Sequence, residues 1–430
     1  MTVDLLRNAL RTPDRAAFAW RAGEEWRTVT WREFAGEATA VAAALVAHGV
    51  RPGDRVAIMS GTCLDWVRAD YAIWLAGGVT VPIYETSSAA QTGWILRDSG
   101  AVAAFVADER RRALVAGATS SVRHIWAMAG GELDELAATA KEGDHTEVER
   151  RRLALNPDSL ATIVYTSGTT GNPKGCLLTH GNLLASVRGV ALANGVEDEV
   201  LNRGTSILLF LPLAHIFARV VQLAAVHAGA LTAHTDDIAG VADQLVMFRP
   251  TLVLAVPRVF EKFHDRAART AAAAGHARLF HAAERTAVAY SLASDAGGPG
   301  MSLRLRHFLF ERLVYPKLRA ALGGRVRHAV SGGAPLAATL GHFLRGIGIP
   351  VLEGYGLTET TAAVTINLPA AQRIGTVGTR RGRRGEPWVL GQRAGDEGQH
   401  RRSWRSGCGH TSWWTSASSS ATTGPTSPRW

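Results

Sequence analysis

The sequence predicts an α/β protein of stacked, parallel-rich sheets with flanking helices, and three observations lead to this prediction. Short apolar runs alternate with helix-length segments between residues 54 and 107, which is typical of parallel βαβ units. Several strand-like runs further along end in glycine- and hydroxyl-rich turns, the place where such sheets bind ligands. The 430 residues, 47% apolar and 20% charged, allow two or three domains and a substantial core.

The first part of the chain predicts a regular order of elements. Residues 17–20 and 26–30 predict a hairpin, and Thr30 and Glu33 then have the spacing of a capping box at the start of a helix. Beyond this helix the pattern predicts a further helix at 64–76 and strands at 54–60, 79–84, 102–107 and 161–165. The polar stretch 108–158 indicates no particular structure.

The second part predicts longer helices between its strands. A helix is expected at about 181–193, and strands are expected at 206–211, 252–256 and 325–330. Residues 257–322 are rich in alanine and arginine and predict long helices, with an interruption near 297–300. A helix of about fifteen residues should precede the apolar segment that begins at Val351.

The segment after the strand at 161–165 has the composition of a phosphate-binding loop. It reads Tyr165-Thr-Ser-Gly-Thr-Thr-Gly-Asn-Pro-Lys-Gly175. Glycines let successive backbone N–H groups converge on one anion, hydroxyls add donors, and Lys174 supplies a positive charge, so a polyphosphate is the predicted ligand. Serine, threonine and glycine alone would favour a flexible surface loop. Lys174 favours the phosphate loop, since the chain has four lysines against 43 arginines.

The P-loop of nucleotide triphosphatases is the competing interpretation, but it requires Gly-Lys followed by serine or threonine. Here Pro173 precedes Lys174 and Gly175 follows it. The segment instead resembles the signature of the AMP-forming adenylating enzymes, the superfamily of acyl-CoA synthetases, firefly luciferase and peptide-synthetase adenylation domains. The resemblance implies contacts to the β and γ phosphates of ATP from Thr166, Ser167, Gly168, Thr169, Thr170, Gly171 and Lys174.

A second segment of interest, Leu211-Pro-Leu-Ala-His-Ile-Phe217, directly follows a predicted strand. A lone histidine in an apolar segment is most often a hydrogen-bonded core residue. This segment, however, resembles the next core motif of the same superfamily. The resemblance implies that His215 lies between the acyl pocket and the phosphates and positions the substrate.

Two glycine-rich segments complete the set, Ser331-Gly-Gly-Ala-Pro335 and Gly354-Tyr-Gly-Leu-Thr-Glu359. Glycines let a flat base lie close to the backbone, a tyrosine ring can cover its other face, a threonine can donate to a phosphate, and a glutamate is a hard ligand for Mg²⁺. The resemblance implies the same roles in detail: adenine contacts from Gly333, Ala334, Pro335 and Tyr355, a further nucleotide contact from Gly356, an α-phosphate contact from Thr358, and metal binding by Glu359. It implies that the catalytic residues are Lys174, His215, Thr358 and Glu359.

Two further stretches point to one branch of the superfamily. Val81-Pro-Ile-Tyr-Glu-Thr-Ser-Ser88 resembles a segment of bacterial long-chain fatty-acid synthetases, although a turn beside the sheet is the structural alternative. The helical region 257–322 is similar to the helical insertion of long-chain acyl-CoA synthetases. These resemblances imply a fatty-acid–CoA ligase that uses ATP, Mg²⁺ and CoA with a long-chain fatty acid. The alternative is a non-catalytic remnant that binds ATP or an acyl group.

Charge and targeting signals limit which partners and which location we expect. The net charge is +10, but residues 379–430 hold nine arginines and three acids, so the main body is nearly balanced and nucleic-acid binding is disfavoured. The absence of a signal peptide, of a membrane-length apolar run and of any C-x-x-C pair leads us to expect a cytoplasmic location and no zinc site. The basic helices at 257–322 suggest a membrane surface as a further partner, with a solvated face as the alternative.

The resemblance to the superfamily extends to about residue 378 and stops there. We therefore expect residues 1–378 to form an incomplete AMP-binding N-terminal domain, with the final β-subdomain and mobile C-terminal domain missing. Residues 379–430 are rich in arginine, glycine, serine and tryptophan without helical or strand periodicity. They are expected to be a disordered basic tail, produced by a reading-frame shift or present as a natural segment.

Overall fold

The computed structural model describes residues 1–166, 171–191 and 195–378, and its two sheets with flanking helices confirm the predicted fold class. The strands are β1 (Ala16–Ala22), β2 (Glu25–Thr30), β3 (Arg55–Met59), β4 (Val79–Ile83), β5 (Ala101–Val106), β6 (His124–Ala127), β7 (Leu160–Thr166), β8 (Lys174–Thr179), β9 (Ser206–Leu209), β10 (Leu231–His234), β11 (Leu252–Ala255), β12 (His328–Ser331), β13 (Val351–Leu357) and β14 (Ala362–Ile366).

The α-helices of the described residues alternate with these strands in the first two thirds of the chain and then form a group of their own. They are α1 (Thr2–Arg11), α2 (Trp31–Ala47), α3 (Leu64–Leu75), α4 (Ala89–Ser99), α5 (Glu109–Ala118), α6 (Glu132–Ala137), α7 (Glu142–Ala154), α8 (His180–Ala191), α9 (Ile216–Ala228), α10 (Val241–Phe248), α11 (Pro257–Ala273), α12 (Ala277–Asp295), α13 (Met301–Leu313), α14 (Tyr315–Ala320) and α15 (Ala338–Gly346).

Six strands form one sheet, in the order β6-β5-β3-β4-β7-β8. Neighbours pair in parallel from β6 to β7, and only β8 runs antiparallel, as the returning leg of a hairpin with β7. Strands β3, β4 and β5 are almost wholly buried, which is why their sequences are continuous apolar runs. The carboxyl end of β7 therefore delivers the predicted phosphate loop to one edge of this sheet.

Eight strands form the other sheet, in the order β14-β13-β12-β11-β9-β10-β1-β2. Its central strands are parallel, and antiparallel hairpins close both edges, β1–β2 on one side and β13–β14 on the other. The segments after β9, β11 and β12 leave from the same edge, because the strands are parallel. The remaining predicted motifs thus meet there.

Both sheets are covered on both faces. Ile58 of β3 and Ile207 of β9 belong to one buried cluster that also contains residues of α2, α3 and α9. Leu208 of β9 faces the opposite way and packs with helices from the 257–349 region, while Val81 of β4 packs with α4 and α5. Because side chains alternate along a strand, each sheet contributes one face to the shared central core.

Most predicted elements are present within about two residues of the expected bounds. The hairpin is β1–β2, and the capping box is formed: Glu33 Oε2 accepts from the Thr30 N–H at 2.8 Å while Thr30 Oγ1 accepts from the Glu33 N–H at 3.3 Å. The region 257–322 holds four helices, α11 to α14, with Pro257 in the first turn of α11 and a break at 296–300.

Three expectations differ from the structure. The helix before Val351 has nine residues rather than about fifteen, because the loop after β12 continues to Ala337. The strand expected at 325–330 begins at His328, because pairing with β11 starts at Leu252 opposite His328. The stretch 108–158 contains α5, β6, α6 and α7; Asp108 caps α5 by accepting from the Arg111 N–H at 2.9 Å, a local signal that the polar composition hid.

Candidate functional site

A cavity of about 360 Å³ opens where the carboxyl ends of β12 and β13 approach α9. One end is polar and bears residues of the predicted motifs: Thr166, His215, Gly332, Gly333, Tyr355, Gly356, Thr358 and Glu359. The other end is apolar and runs between α8, α9 and the sheet, along Val190, Val196, Val200, Leu201, Val220, Val221 and Ala224. This volume is within the usual range for small-molecule sites.

A second cavity, of about 320 Å³, lies between α4 and the β7–β8 hairpin. Its wall includes Tyr84, Ser87, Gln91, Tyr165 and Pro173. It shares Thr166, His215, Ile216 and Thr358 with the first cavity. Side chains predicted to contact phosphate and substrate therefore stand where two cavities meet.

The phosphate loop is the turn of a hairpin whose two legs are anchored to α4. Thr166 at the end of β7 pairs with Lys174 at the start of β8, and the Lys174 side chain is exposed. Tyr165 donates its hydroxyl to Asp98 Oδ2 at 2.6 Å, and Trp94 Nε1 donates to the Pro173 carbonyl at 2.9 Å. Burial, followed by the neighbouring carboxylate of Asp98, raises the pKa of Tyr165, so its hydroxyl stays a donor.

Part of this loop lies outside the described residues, namely the predicted phosphate ligands Ser167, Gly168, Thr169 and Thr170. Gly171, at the far side of the turn, is exposed with φ +123°, a backbone conformation that L residues rarely adopt. Thr166, Gly171 and Lys174 are thus placed on one hairpin turn, and their phosphate contacts remain predictions.

The turn that carries Thr358 and Glu359 is strained, and side chains of other segments hold it by hydrogen bonds. Thr361 and Ala362, directly after it, have φ of +60° and +74°, which is uncommon for consecutive non-glycine residues. Ser186 on α8 donates to the Thr361 carbonyl at 2.7 Å, and the Cys176 thiol on β8 donates to the Thr358 carbonyl at 3.7 Å. The phosphate hairpin and the Thr358 turn are therefore in direct contact.

Gly356 shows why a small residue is required beside this turn. A Cβ added to it would lie 1.7 Å from the Ala362 carbonyl oxygen, so the β13–β14 hairpin can close only around glycine. The neighbouring Tyr355 is 51% exposed and lines the cavity. This arrangement presents the tyrosine ring to the cavity rather than to the core.

The predicted adenine segment forms a loop after β12. Gly333 has φ +83° and lines the cavity. Gly332 lies against the Phe217 ring, where an added Cβ would come within 3.2 Å of Cζ. Ala334 and Pro335 follow on the exposed surface and, among the described residues, are not part of the cavity wall. The buried Glu353 fixes the end of this loop by accepting from the Leu336 N–H at 3.0 Å.

His215 is not a core histidine, the more common case for such a sequence. It precedes α9, is exposed at the polar end of both cavities, and its Nδ1 accepts from the Phe217 N–H at 3.2 Å. Desolvation by the surrounding protein lowers the pKa of the ring. The neutral ring with an acceptor at Nδ1 carries its proton on Nε2, which is left as a donor toward a ligand.

A buried network below the site went unnoticed in the sequence. Arg219 on α9 donates to both carboxylate oxygens of Asp70 on α3, and its Nη1 donates to Thr162 Oγ1 of β7 at 2.6 Å. Trp66 and Trp74 lie against the guanidinium, with centroids 5.4 Å and 5.0 Å away. The network joins α9, which His215 directly precedes, to the strand that leads into the phosphate loop.

These positioning residues differ in how clearly the sequence alone indicates them. Arg219 and Asp70 are charges inside apolar helical sequences, a signal for a buried pair, because an unpaired buried charge is costly. Ser186 and Glu353 have no comparable signal, since both act on backbone groups of segments distant in sequence.

Known proteins are similar to this chain in sequence and fold. A family model described as AMP-binding enzyme matches residues 5–385. The chain belongs to this family. Among curated proteins it is similar to the long-chain-fatty-acid–CoA ligase FadD15 of Mycobacterium bovis, at 46% identity over 372 residues, which is 85% of this chain and 62% of that protein. It is 32% identical over 359 residues to the peroxisomal long chain acyl-CoA synthetase 7 of Arabidopsis thaliana, covering 79% of this chain and 49% of that one.

Solved structures of the family show the same fold at low identity. The N-terminal domain of FACL13 from Mycobacterium tuberculosis superposes with a TM-score of 0.65 at 20% identity, over 90% of this chain and 86% of that one. The o-succinylbenzoate CoA synthetase of Bacillus subtilis, in complex with its acyl-adenylate intermediate, gives 0.62 at 24% identity, over 90% and 66%. The chain spans about 62% of the length of the FadD15 ligases that it matches.

The described parts of the chain contain neither a preformed cluster of metal ligands nor a membrane-spanning helix. Within them, no group of three or more His, Cys, Asp or Glu side chains is placed to hold a metal ion. Glu359 is a single exposed carboxylate on the cavity wall. One carboxylate together with substrate phosphates is an ordinary Mg²⁺ site, so the residues fit a metal that arrives with its nucleotide. No helix in the same residues is long and apolar enough to cross a membrane.

Proposed function

We propose that this chain forms the adenylating part of a long-chain fatty-acid–CoA ligase. In the proposed reaction a carboxylate oxygen of the fatty acid attacks the α-phosphorus of ATP, and pyrophosphate leaves with the electrons of the broken P–O bond. The CoA thiol then attacks the acyl carbon, its proton is lost, and AMP leaves. The observation that carries the proposal is the cavity whose apolar end leads to the polar rim bearing Thr166, His215 and Thr358.

The nucleotide is assigned to the polar end of the cavity. Lys174, with the hydroxyls of its loop, would neutralise the β and γ phosphates, and Thr358 would donate to the α-phosphate. Adenine would lie between the loop at Gly333–Pro335 and Tyr355. Glu359 would hold Mg²⁺, which when bound withdraws charge from the phosphates and so helps pyrophosphate to leave.

The fatty acid is assigned to the apolar end. A chain entering between Val220 and Val200 would replace water by aliphatic contacts, worth roughly 0.8 kcal/mol per buried methylene. Its carboxylate would then reach His215, whose Nε2–H can donate to one oxygen and so aim the other at the α-phosphorus. The hydrogen bonds of Arg219 and Ser186 would keep His215 and the Thr358 turn in fixed positions relative to the phosphate loop.

The names of the similar proteins support a long acyl chain. Two FadD15 ligases and the plant synthetases are named for long-chain acids or acyl groups. Thioester formation with CoA is proposed for the whole reaction by the same similarity. Because such acids are held mainly in lipid, the proposed function includes contact with a membrane surface.

The test is ATP–pyrophosphate exchange by the 430-residue chain with Mg²⁺ and palmitate, followed by thioester formation once CoA is added. We expect palmitate-dependent exchange that is reduced in Thr358→Val. ATP binding without exchange would favour the alternative function, an ATP- or acyl-binding protein without turnover. Neither ATP binding nor exchange, in protein that melts cooperatively, would contradict both.

A further inference from the structure

Helix α13 (Met301–Leu313) packs on the protein by one face only. On that face the His307 ring stacks on Tyr290 with centroids 3.8 Å apart, and His307 Nε2 donates to the Gly346 carbonyl at 2.7 Å. No residue of the helix is fully buried. The helix is therefore held in a fixed orientation while most of its surface faces outward.

The outward face of α13 is apolar. Met301, Leu305, Phe308, Leu309 and Leu313 are 80%, 61%, 52%, 52% and 62% exposed. Their spacing of four, three, one and four residues puts them on a single stripe of the helix. Isolated exposed apolar residues are ordinary, but a continuous stripe marks a surface that another phase or molecule covers.

Positive charge borders this stripe. Arg304 and Arg306 are exposed, and by helical geometry they lie on opposite sides of it. Arg312 lies within the stripe itself, four residues after Phe308, and its guanidinium covers the Phe308 ring at 5.0 Å from the centroid. The acid of this helix, Glu311, is already paired with Arg319 at 2.5 Å. Among the residues that the structure describes, Arg304 and Arg306 form no ion pair, so the border carries uncompensated positive charge beside apolar side chains.

We propose that α13 is the surface by which this protein lies on an anionic lipid membrane. The stripe would enter the boundary between headgroups and acyl chains, and the arginines would pair with lipid phosphates at the headgroup level. The inference rests on the proposed function for its biological meaning, since a lipid surface is where a long-chain acid is found. Binding itself depends only on α13.

The charge pattern also favours an anionic membrane over a second copy of this chain as the partner of this face. In a symmetric dimer through the same face, the arginines bordering one stripe would meet those bordering the other. Like charges placed in contact disfavour association. An anionic surface matches both the stripe and its border, and a neutral surface matches the stripe alone.

The experiment is flotation of the full chain with vesicles of phosphatidylglycerol and phosphatidylcholine, compared with phosphatidylcholine alone. Flotation is chosen because aggregated protein does not rise with lipid. We expect binding to the anionic vesicles, weakened by salt, and a decrease of about fivefold in the partition coefficient for each of Arg304→Gln and Arg306→Gln. The double variant Leu305→Gln/Leu309→Gln should lose most binding. Leu153→Gln, an equally exposed leucine on α7, should bind as the unaltered chain does.

Unchanged flotation of the leucine double variant would overturn the proposal. So would a lipid-free dimer that this variant abolishes, because it would assign the face to a second copy. These substitutions are on the surface and should leave the thermal melt within the range of Leu153→Gln. Failure to float would leave ATP–pyrophosphate exchange intact, whereas failure of the ligase proposal would leave flotation intact, so the two results are distinguishable.

Discussion

Two regions of this molecule hold their polar groups in different ways: the Arg219 network between the sheets and the turn at residues 358–362. Arg219 is 1% exposed, and its guanidinium donates to Asp70 and Thr162 between two tryptophan rings. In the turn, Glu359 is exposed and Thr361 and Ala362 have positive φ. One region is buried with its charges paired, and the other is open and strained.

The comparison indicates that the two regions have different roles, one in stability and the other in ligand binding. Groups proposed to touch ATP lie largely on exposed segments, and the turn after Glu359, with positive φ at Thr361 and Ala362, receives a hydrogen bond from the buried Ser186. Changes in the buried network should therefore act mainly on the free energy of unfolding. Changes in the exposed motifs should act mainly on ligand binding.

The largest effect is expected from Arg219→Met. Removing one partner of a buried ion pair leaves Asp70 uncompensated, so the free energy of unfolding should fall by about 3–5 kcal/mol, measured by urea denaturation. Arg150→Met, in an exposed pair with Glu147, is the matched control and should change it far less, because water screens an exposed pair. Equal effects of the two substitutions would remove the distinction between the regions.

The second-largest effect is expected at the phosphate hairpin. Lys174→Ala should weaken ATP binding by about 1.5–3 kcal/mol, because a phosphate loses a charge-assisted hydrogen bond, while the melt stays unchanged. Calorimetry measures the affinity, and Lys262→Ala, an exposed lysine on α11, is the control. An unchanged ATP affinity would mean that Lys174 does not contact the nucleotide.

A pH effect of similar size is expected at the sheet junction, where His180 packs edge-on against Trp74. Burial lowers the pKa of His180 to about 3, against about 6.5 in an unfolded chain. Between these values the unfolded chain binds a proton that the folded one does not, so stability is full above pH 6.5 and falls as the pH drops.

The free energy of unfolding should lose about 1.4 kcal/mol per pH unit through His180, or about 2 kcal/mol at pH 5. Urea denaturation from pH 7 to pH 5 measures this slope. His180→Asn should remove that part of the slope, and the exposed His276→Asn should leave it in place. A slope that His180→Asn does not alter would show that this histidine is already protonated in the folded protein.

The smallest effect expected is that of Ser186→Ala. The Thr361 carbonyl would lose its buried donor, costing about 1–2 kcal/mol, and the strained turn should relax away from its ATP-binding arrangement. Affinity for ATP should therefore fall together with stability. Ser294→Ala is the control, since that hydroxyl makes only an exposed bond to the Tyr290 carbonyl. A loss of stability with unaltered ATP affinity would disconnect Ser186 from the site.

Much of the fold could be predicted from the sequence, because its signals are local. The capping box at Thr30 and the buried apolar runs of β3 and β4 depend on neighbouring residues, and the structure confirms them. The short helix before Val351 could not be predicted in length. Its start depends on how the loop after β12 is held by Glu353, a contact across seventeen positions.

The site divides in the same way. His215, Thr358 and Glu359 could be singled out because they lie within motifs that resemble a known family, and the structure brings all three to one cavity. Ser186 and Thr162 could not, since each is an ordinary residue of a helix or strand whose partner is set by tertiary packing. Motifs indicate what touches a ligand, and only packing shows what holds the motif in place.

The central claim is that one cavity holds an acyl chain at its apolar end and the reacting phosphate at its polar end. The most direct test is Ala224→Phe, which fills the apolar end at a residue 1% exposed. Excluding two methylene groups costs about 1.6 kcal/mol, so palmitate-dependent ATP–pyrophosphate exchange should fall more than tenfold, while exchange with hexanoate and the affinity for ATP are kept. Equal exchange with palmitate before and after the substitution, or equal loss with both acids at an unchanged melt, would contradict the account.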